Sequence, residues 1–178
     1  MCILLIINHK SIKMKNFFLI FFLLTTSFSF AQEITGITKT GDKYSVMIRE
    51  SNQGYYKNDF TMFDKIIHDD AVFTINREDF TKDEVRAGFA AHHQLYKDIK
   101  ATPEFIETTF YDENFNNQVW SHVWQFWEGT SKRTGETIRG PVNASFKWVD
   151  GKVVQAIYIY DSVPLSTEIA AVQKKKKK

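Results

Sequence analysis

The stretch FKWVDGKVVQAIYIYD, Phe146 to Asp161, decides the fold. Two strand-like halves flank Asp150-Gly151, a dipeptide suited to the positive φ angles of a two-residue hairpin. Period-two alternation puts Val153, Gln155, Ile157, Ile159 and Asp161 on one face of the second half. Val154, Ala156, Tyr158 and Tyr160 fall on the other, with Asn143 expected opposite Tyr158. Three more segments read as strands: Glu104 to Tyr111, Val119 to Trp127, and Thr137 to Trp148, which leads into the hairpin. Lys152 to Asp161 completes a meander with turns at Asn114 to Asn117 and Gly129 to Gly135. Successive hairpins imply an antiparallel sheet. Aromatic residues on both faces imply that neither face is simply solvated. A curved sheet with helices inside and a partner outside satisfies both conditions.

Upstream, the pattern is helical. Tyr44, Met47, Ile48, Ser51 and Tyr55 follow one stripe from Asp42 onward. A break at Lys57-Asn58-Asp59 caps a second short helix carrying Phe60, Phe63 and Ile67 on one side. His68-Asp69-Asp70 reads as its end, and Ala71 to Asn76 as a strand. After a loop at Arg77-Glu78-Asp79, Thr81 and Glu84 form a capping box. Val85, Phe89, His92 and Tyr96 then share one helix face.

Residues 1–31 read as a secretory leader, with Met14 as an alternative start. Lysines precede the apolar run Phe17 to Leu24, and small residues lead to a cleavage junction after Ala31. The run is much shorter than the ~20 residues needed to span a bilayer. The expectation is an exported protein, periplasmic or extracellular, with no membrane span once the leader is removed. The only cysteine, Cys2, leaves with the leader, so no disulfide, thiol nucleophile or cysteine metal site is expected. Residues 32–43 read as a linker, 44–163 as one domain, and 164–178 as a solvated tail ending in Lys174 to Lys178. Without leader and lysine run, 15 basic residues face 21 acidic ones. That balance argues against a nucleic-acid surface.

The order of these segments resembles the SnoaL-like branch of the nuclear-transport-factor-2-like superfamily. The matching pieces are DFTMFDKIIHDDAVF (Asp59 to Phe73), FTKDEVRAGF (Phe80 to Phe89) and TGETIRGPVNASFKWVDGKVVQAIYIYD (Thr134 to Asp161). The resemblance implies an α+β fold, a cone-shaped curved antiparallel sheet wrapped over three helices. It also implies a pocket between sheet and helices and dimerisation through the sheet. Members include enzymes and proteins with no chemistry. The charged residues of limonene-epoxide-hydrolase-like members fall here on Tyr158, Val123 and Gln125, so that mechanism is not expected. Of the scytalone-dehydratase-like set, Tyr55-Tyr56 fits the tyrosine, and His122 lies near one histidine position.

Three candidate acid/base residues follow. His92 is either a pocket-wall general base with a pKa near neutrality or a core histidine bonded to one neighbour. Tyr158 matches the family's last-strand functional site, where a phenol can donate to a carbonyl or enolate oxygen; its alternative is packing against Asn143. His122 alternates with Trp120 and Trp124, a face that the family register makes the outer one. Ligand contacts are expected from Tyr55, Tyr56, Phe89, His92, Gln125, Trp127, Tyr158 and Tyr160. No cofactor or metal site is expected, since zinc spacing and a Gly-rich phosphate loop are lacking. Two functions remain: a homodimeric binder of a small, mostly apolar organic molecule, or a cofactor-free lyase, isomerase or hydrolase. Whether His92 and Tyr158 share one cavity separates them.

Overall fold

A computed structural model describes residues 35–176. The elements run β1 (Gly36–Lys39), α1 (Lys43–Tyr56), α2 (Thr61–Ile66), β2 (Ile67–Ile75), β3 (Glu78–Thr81) and α3 (Lys82–Leu95). Then come β4 (Tyr96–Tyr111), β5 (Val119–Ser131), β6 (Thr137–Val149), β7 (Lys152–Tyr160) and α4 (Val163–Lys176). The strands form one curved, unclosed sheet in the order β1-β4-β5-β6-β7-β2-β3. The architecture is α+β, as the sequence implies. It departs from the expectation in having, among the described residues, four helices and one parallel pairing, β2 with β7.

Local chemistry explains where helices begin. The Asp42 carboxylate accepts the Tyr44 and Ser45 N–H groups, at 2.8 and 3.3 Å, and so caps α1. The Thr81/Glu84 capping box forms as read from the sequence. The helices then bury Ile48, Phe63, Ile66 and Val85 against Phe73, Ile106, Val123, Phe146 and Val153 of the sheet. Complete burial of a side chain such as Phe73 contributes about 1.5–3 kcal/mol.

A buried polar chain ties α1 to three strands. Trp148 Nε1 donates to Ser121 Oγ (2.8 Å), and Ser121 meets Thr108 Oγ1 at 2.7 Å. Thr108 in turn meets Ser45 Oγ at 2.8 Å, and Ser45 donates to the Asp42 carboxylate at 2.6 Å. An indole N–H can only donate and a carboxylate can only accept, so every hydroxyl in between points the same way. Because each link is satisfied, these buried hydroxyls do not destabilise the core.

Curvature comes from extra residues in β4. Its ladder with β5 skips one residue between Lys97 and Lys100 and another between Ala101 and Glu104. Each bulge bends the strand. These bulges break the alternation in β4, so the sequence suggested a later start and assigned Tyr96 to the helix. Tyr96 instead begins β4, paired with Ser131.

Other expectations need correction. Gly36–Lys39, read as linker, pairs with β4, and Glu78 and Asp79, read as loop, begin an edge strand on β2, Glu78–Thr81. His68-Asp69-Asp70 does not end a helix; it bows out of the β2–β7 ladder between Ile67 and Val72. Tyr158 faces Ala144, not Asn143. Lys147 pairs with Gln155 but Trp148 with Val153, so Val154 is a bulge. That extra residue turns Val153 into the core, where it is fully buried, against the expected alternation. Residues 164–176, read as part of a solvated tail, belong to helix α4. The leader reading, with Cys2 and Met14, lies outside the described residues, as do the last two lysines. No helix among the described residues is long and apolar enough to cross a membrane.

Candidate functional site

Between the sheet's concave face and the helices lies a cavity of about 240 Å³. It exceeds the ~150 Å³ of an engineered cavity that holds benzene. Phe60, Phe63 and Ile66 make an apolar floor, and the β6 run from Ile138 to Val142, Arg139 included, lines one side. The other polar groups come from α1, α3, β5 and β7, with Asp161 just after β7. Tyr55, Phe89, His92, Gln125, Trp127, Tyr158 and Tyr160 all reach this one cavity.

The His92 state follows from its neighbours. Trp127 Nε1 donates to Tyr55 Oη at 2.9 Å, and Tyr55 Oη lies 2.8 Å from His92 Nδ1. The indole must donate, so the tyrosine satisfies its own proton by donating to Nδ1. His92 therefore accepts at Nδ1 and carries its proton on Nε2, the free donor at the cavity wall. Burial, with His93 adding a smaller effect, pushes the His92 pKa down to about 4. A proton on Nδ1 would also face the Tyr55 oxygen and strand the tyrosine's own hydrogen. Of the two expectations for His92, this arrangement favours a histidine bonded to one neighbour over a general base near neutrality. His92 is a neutral hydrogen-bond donor at pH 7.

The tyrosines are neutral for the same reason. Burial pushes Tyr158 well above the usual phenol range, with Tyr55 and Tyr160 adding to the effect. Tyr55 is raised chiefly by burial, against the opposing effect of the Trp127 bond. Tyr160 is also raised by burial. The Tyr158 ring packs edge-on to Phe146 and Phe89, at centroid distances of 5.6 and 5.9 Å. No buried side-chain polar atom among the described residues lacks a partner. Tyr158 and Tyr160 both line the cavity, and neither hydroxyl bonds another side chain among the described residues. Asp161, at the rim, is the one carboxylate among the described lining residues, and its Oδ1 accepts the Val163 N–H at 3.0 Å.

Two expected residues fall elsewhere. Tyr56 is behind the wall, its hydroxyl 2.9 Å from Glu104 Oε1 and 3.0 Å from Gln125 Oε1. One O–H cannot serve both oxygens. The carboxylate is the better acceptor, and turning the Gln125 amide so that its nitrogen faces Tyr56 satisfies both. Burial, then Glu104, raises the Tyr56 pKa. His122 lies on the opposite face of the sheet, because it alternates with buried Ser121 and Val123. Its Nδ1 is 2.9 Å from Ser145, its cross-strand partner, and its ring stacks on Trp120. Burial lowers its pKa. It cannot act together with His92 or Tyr158.

No protein-family model matches the sequence, and no curated protein sequence matches it significantly. Solved structures do match. A polyketide cyclase candidate from Streptomyces antibioticus superposes with a TM-score of 0.55 at 15% identity, over 72% of this chain and 99% of that one. A nuclear-transport-factor-2-like protein from Anabaena variabilis gives 0.54 at 14% identity, over 67% and 87%. An isomerase candidate from Bacillus subtilis gives 0.53 at 13%, over 70% and 91%. The fold is that of the nuclear-transport-factor-2-like proteins.

Within this nuclear-transport-factor-2-like fold, sequence reasoning missed several cavity residues. Ser51, on the helical stripe legible in the sequence, and its neighbour Asn52 sit one turn before Tyr55 on α1. Tyr96 was noticed but placed on the wrong element. Its ring meets Trp127 edge-on at 5.3 Å. Pro164 and Leu165 of α4 also line the cavity. Their signal was Ser162 followed by Pro164, an N-cap residue ahead of a first-turn proline. Among the described residues, no His/Cys/Asp/Glu group could hold a metal ion.

Proposed function

We propose that this protein is an exported, homodimeric binder of a small, mostly apolar organic molecule whose one polar end is a hydrogen-bond acceptor such as a carbonyl. The carrying observation is the bond from Tyr55 to His92 Nδ1. It leaves the imidazole as a donor, beside the Tyr158 and Tyr160 hydroxyls, in a cavity whose floor is apolar. Donors held ready without an adjacent base suit recognition of an acceptor more than proton abstraction. The likeness to a cyclase candidate and an isomerase candidate supports a small-molecule cavity, at identities that carry the fold alone. Export rests on the leader reading of residues 1–31.

The dimer reading rests on the outer face. Phe105 pairs with Trp124, Trp124 with Asn143, and Asn143 with Ile159, giving one row across four strands. Phe105, Trp124 and Ile159 are 50–60% exposed. An exposed apolar row of this kind marks an association surface.

The second reading is a cofactor-free lyase, isomerase or hydrolase with His92 or Tyr158 as acid/base. Its support is that both residues line the one cavity; with His92 neutral and donating, its base would have to be Asp161 at the rim.

Calorimetric titration with 2-acetylnaphthalene and its hydrocarbon counterpart 2-isopropylnaphthalene tests the binding reading. One net hydrogen bond of about 1 kcal/mol predicts roughly fivefold tighter binding of the ketone. Tyr158→Phe should remove part of that difference. If neither compound binds, the cavity reading fails; if both bind equally, the acceptor-end assignment fails.

A further inference from the structure

Helix α4 docks in an unusual way. A surface helix ordinarily buries an apolar stripe, yet Val163 and Ile169 of α4 are 65% and 39% exposed. Through residue 174, the one fully buried side chain of α4 is a carboxylate: Glu168, 4% exposed.

Glu168 reaches the β5–β6 turn. Its Oε2 accepts from Arg133 Nη2 at 2.7 Å, and its Oε1 accepts from Arg133 Nε at 3.2 Å and Ser131 Oγ at 3.0 Å. Ser131 is built for this. Its oxygen already accepts the N–H groups of Arg133 and Thr134, at 3.2 and 3.1 Å, so its one proton is left for Glu168. The arrangement is a two-pronged arginine fork plus an oriented hydroxyl, the strongest kind of side-chain contact available to a carboxylate.

What the clasp holds in place is the cavity wall. One turn before Glu168, Pro164 and Leu165 line the cavity, and the Pro164 carbonyl lies 3.5 Å from Tyr96 Oη. The apolar residues flanking Glu168 on this side of α4, Pro164, Leu165, Ala171 and Val172, are only half-buried, and an element anchored this lightly is the kind that opens locally.

We propose that α4 is a lid over the cavity, and that Glu168, held by Arg133 and Ser131, is the positioning residue that keeps it shut. Glu168 touches no ligand; it sets how often Leu165 and Pro164 swing away and therefore what gains access. The lid does not depend on which molecule the cavity takes, so it stands or falls separately from the binding function.

The test uses the full chain with Cys2→Ser and a reporter Val142→Cys in the cavity wall. A thiol reagent, 5,5′-dithiobis(2-nitrobenzoate), reads how often the cavity opens without any ligand. Glu168→Ala should raise the labelling rate about tenfold, equivalent to ~1.4 kcal/mol of lost closure. Arg133→Ala, made from the exposed side of the clasp, should act in the same direction. Hydrogen exchange on the same proteins should quicken in α4 while β5 and β6 stay protected. Unchanged labelling in both variants would overturn the lid. So would exchange that rises equally in α4 and the sheet, because α4 would then be an ordinary part of the core.

Discussion

The indole of Trp127 donates to the hydroxyl of Tyr55 at 2.9 Å, and this one bond sets the chemical character of the cavity. It orients the Tyr55 proton toward His92 Nδ1 and so decides which imidazole nitrogen meets a ligand. Tyr55→Phe removes both partners at once. The Trp127 N–H and His92 Nδ1 are then left unsatisfied unless water enters, at a cost of about 1–3 kcal/mol each. Urea unfolding should show that loss. Imidazole nitrogen NMR should show the His92 proton no longer confined to Nε2. An unaltered tautomer in the variant would refute the assignment.

His92 also makes stability depend on pH. Its folded pKa, near 4, lies below the ordinary 6.5, so the unfolded chain binds the proton more readily. The contribution of His92 is therefore complete above about pH 6.5 and is lost as pH falls toward 4. The full difference corresponds to roughly 3 kcal/mol. Stability of the protein and of a His92→Asn variant, measured from pH 7.5 to 4, should converge in that window. Parallel curves would mean that the imidazole is not held neutral.

Gly129 makes room for the same indole. A Cβ at that position would stand 2.5 Å from the Trp127 ring, with two further ring atoms at 3.0 and 3.1 Å. Gly129→Ala should push the ring off Tyr55, shift tryptophan emission and weaken 2-acetylnaphthalene binding, while far-UV circular dichroism stays unchanged. Emission and affinity identical to the parent would show that the ring has other places to go.

At the other end of the inner face, Ser121 is the one hydroxyl in contact with both Trp148 and Thr108. Ser121→Ala leaves the buried Trp148 N–H without an acceptor, while the Thr108 hydroxyl loses one contact and still donates to Ser45. The expected loss is about 1–3 kcal/mol in denaturant unfolding. Because this chain lies away from the cavity lining, affinity for 2-acetylnaphthalene should hold in folded protein.

On the outer face, Trp124→Glu places a charge at the centre of the exposed row. Native mass spectrometry should show dimer for the parent and monomer for the variant. A parent that is monomeric at tens of micromolar would remove the sheet-mediated partner.

The residues Phe146 to Asp161 by themselves determined a hairpin, and the patterns around it determined helices at Asp42 and Thr81 and a meander after them. Those features are local: a cap, a turn dipeptide and a repeat of two or 3.6 each act within a few residues. Alternation also placed Gln125 and Trp127 together and His122 against them. Only the tertiary structure decided that Val153 turns inward, that Tyr96 belongs to a strand, and that residues after Val163 form a helix over the cavity. Each depends on a bulge or a partner far along the chain, such as Arg133 for Glu168. The state of His92 was the least legible of all. It is fixed by a tyrosine 37 residues earlier and, through it, by an indole 72 residues beyond that tyrosine. Periodicity can place a ring on a face, but a proton is located by the neighbours that remote segments bring to it.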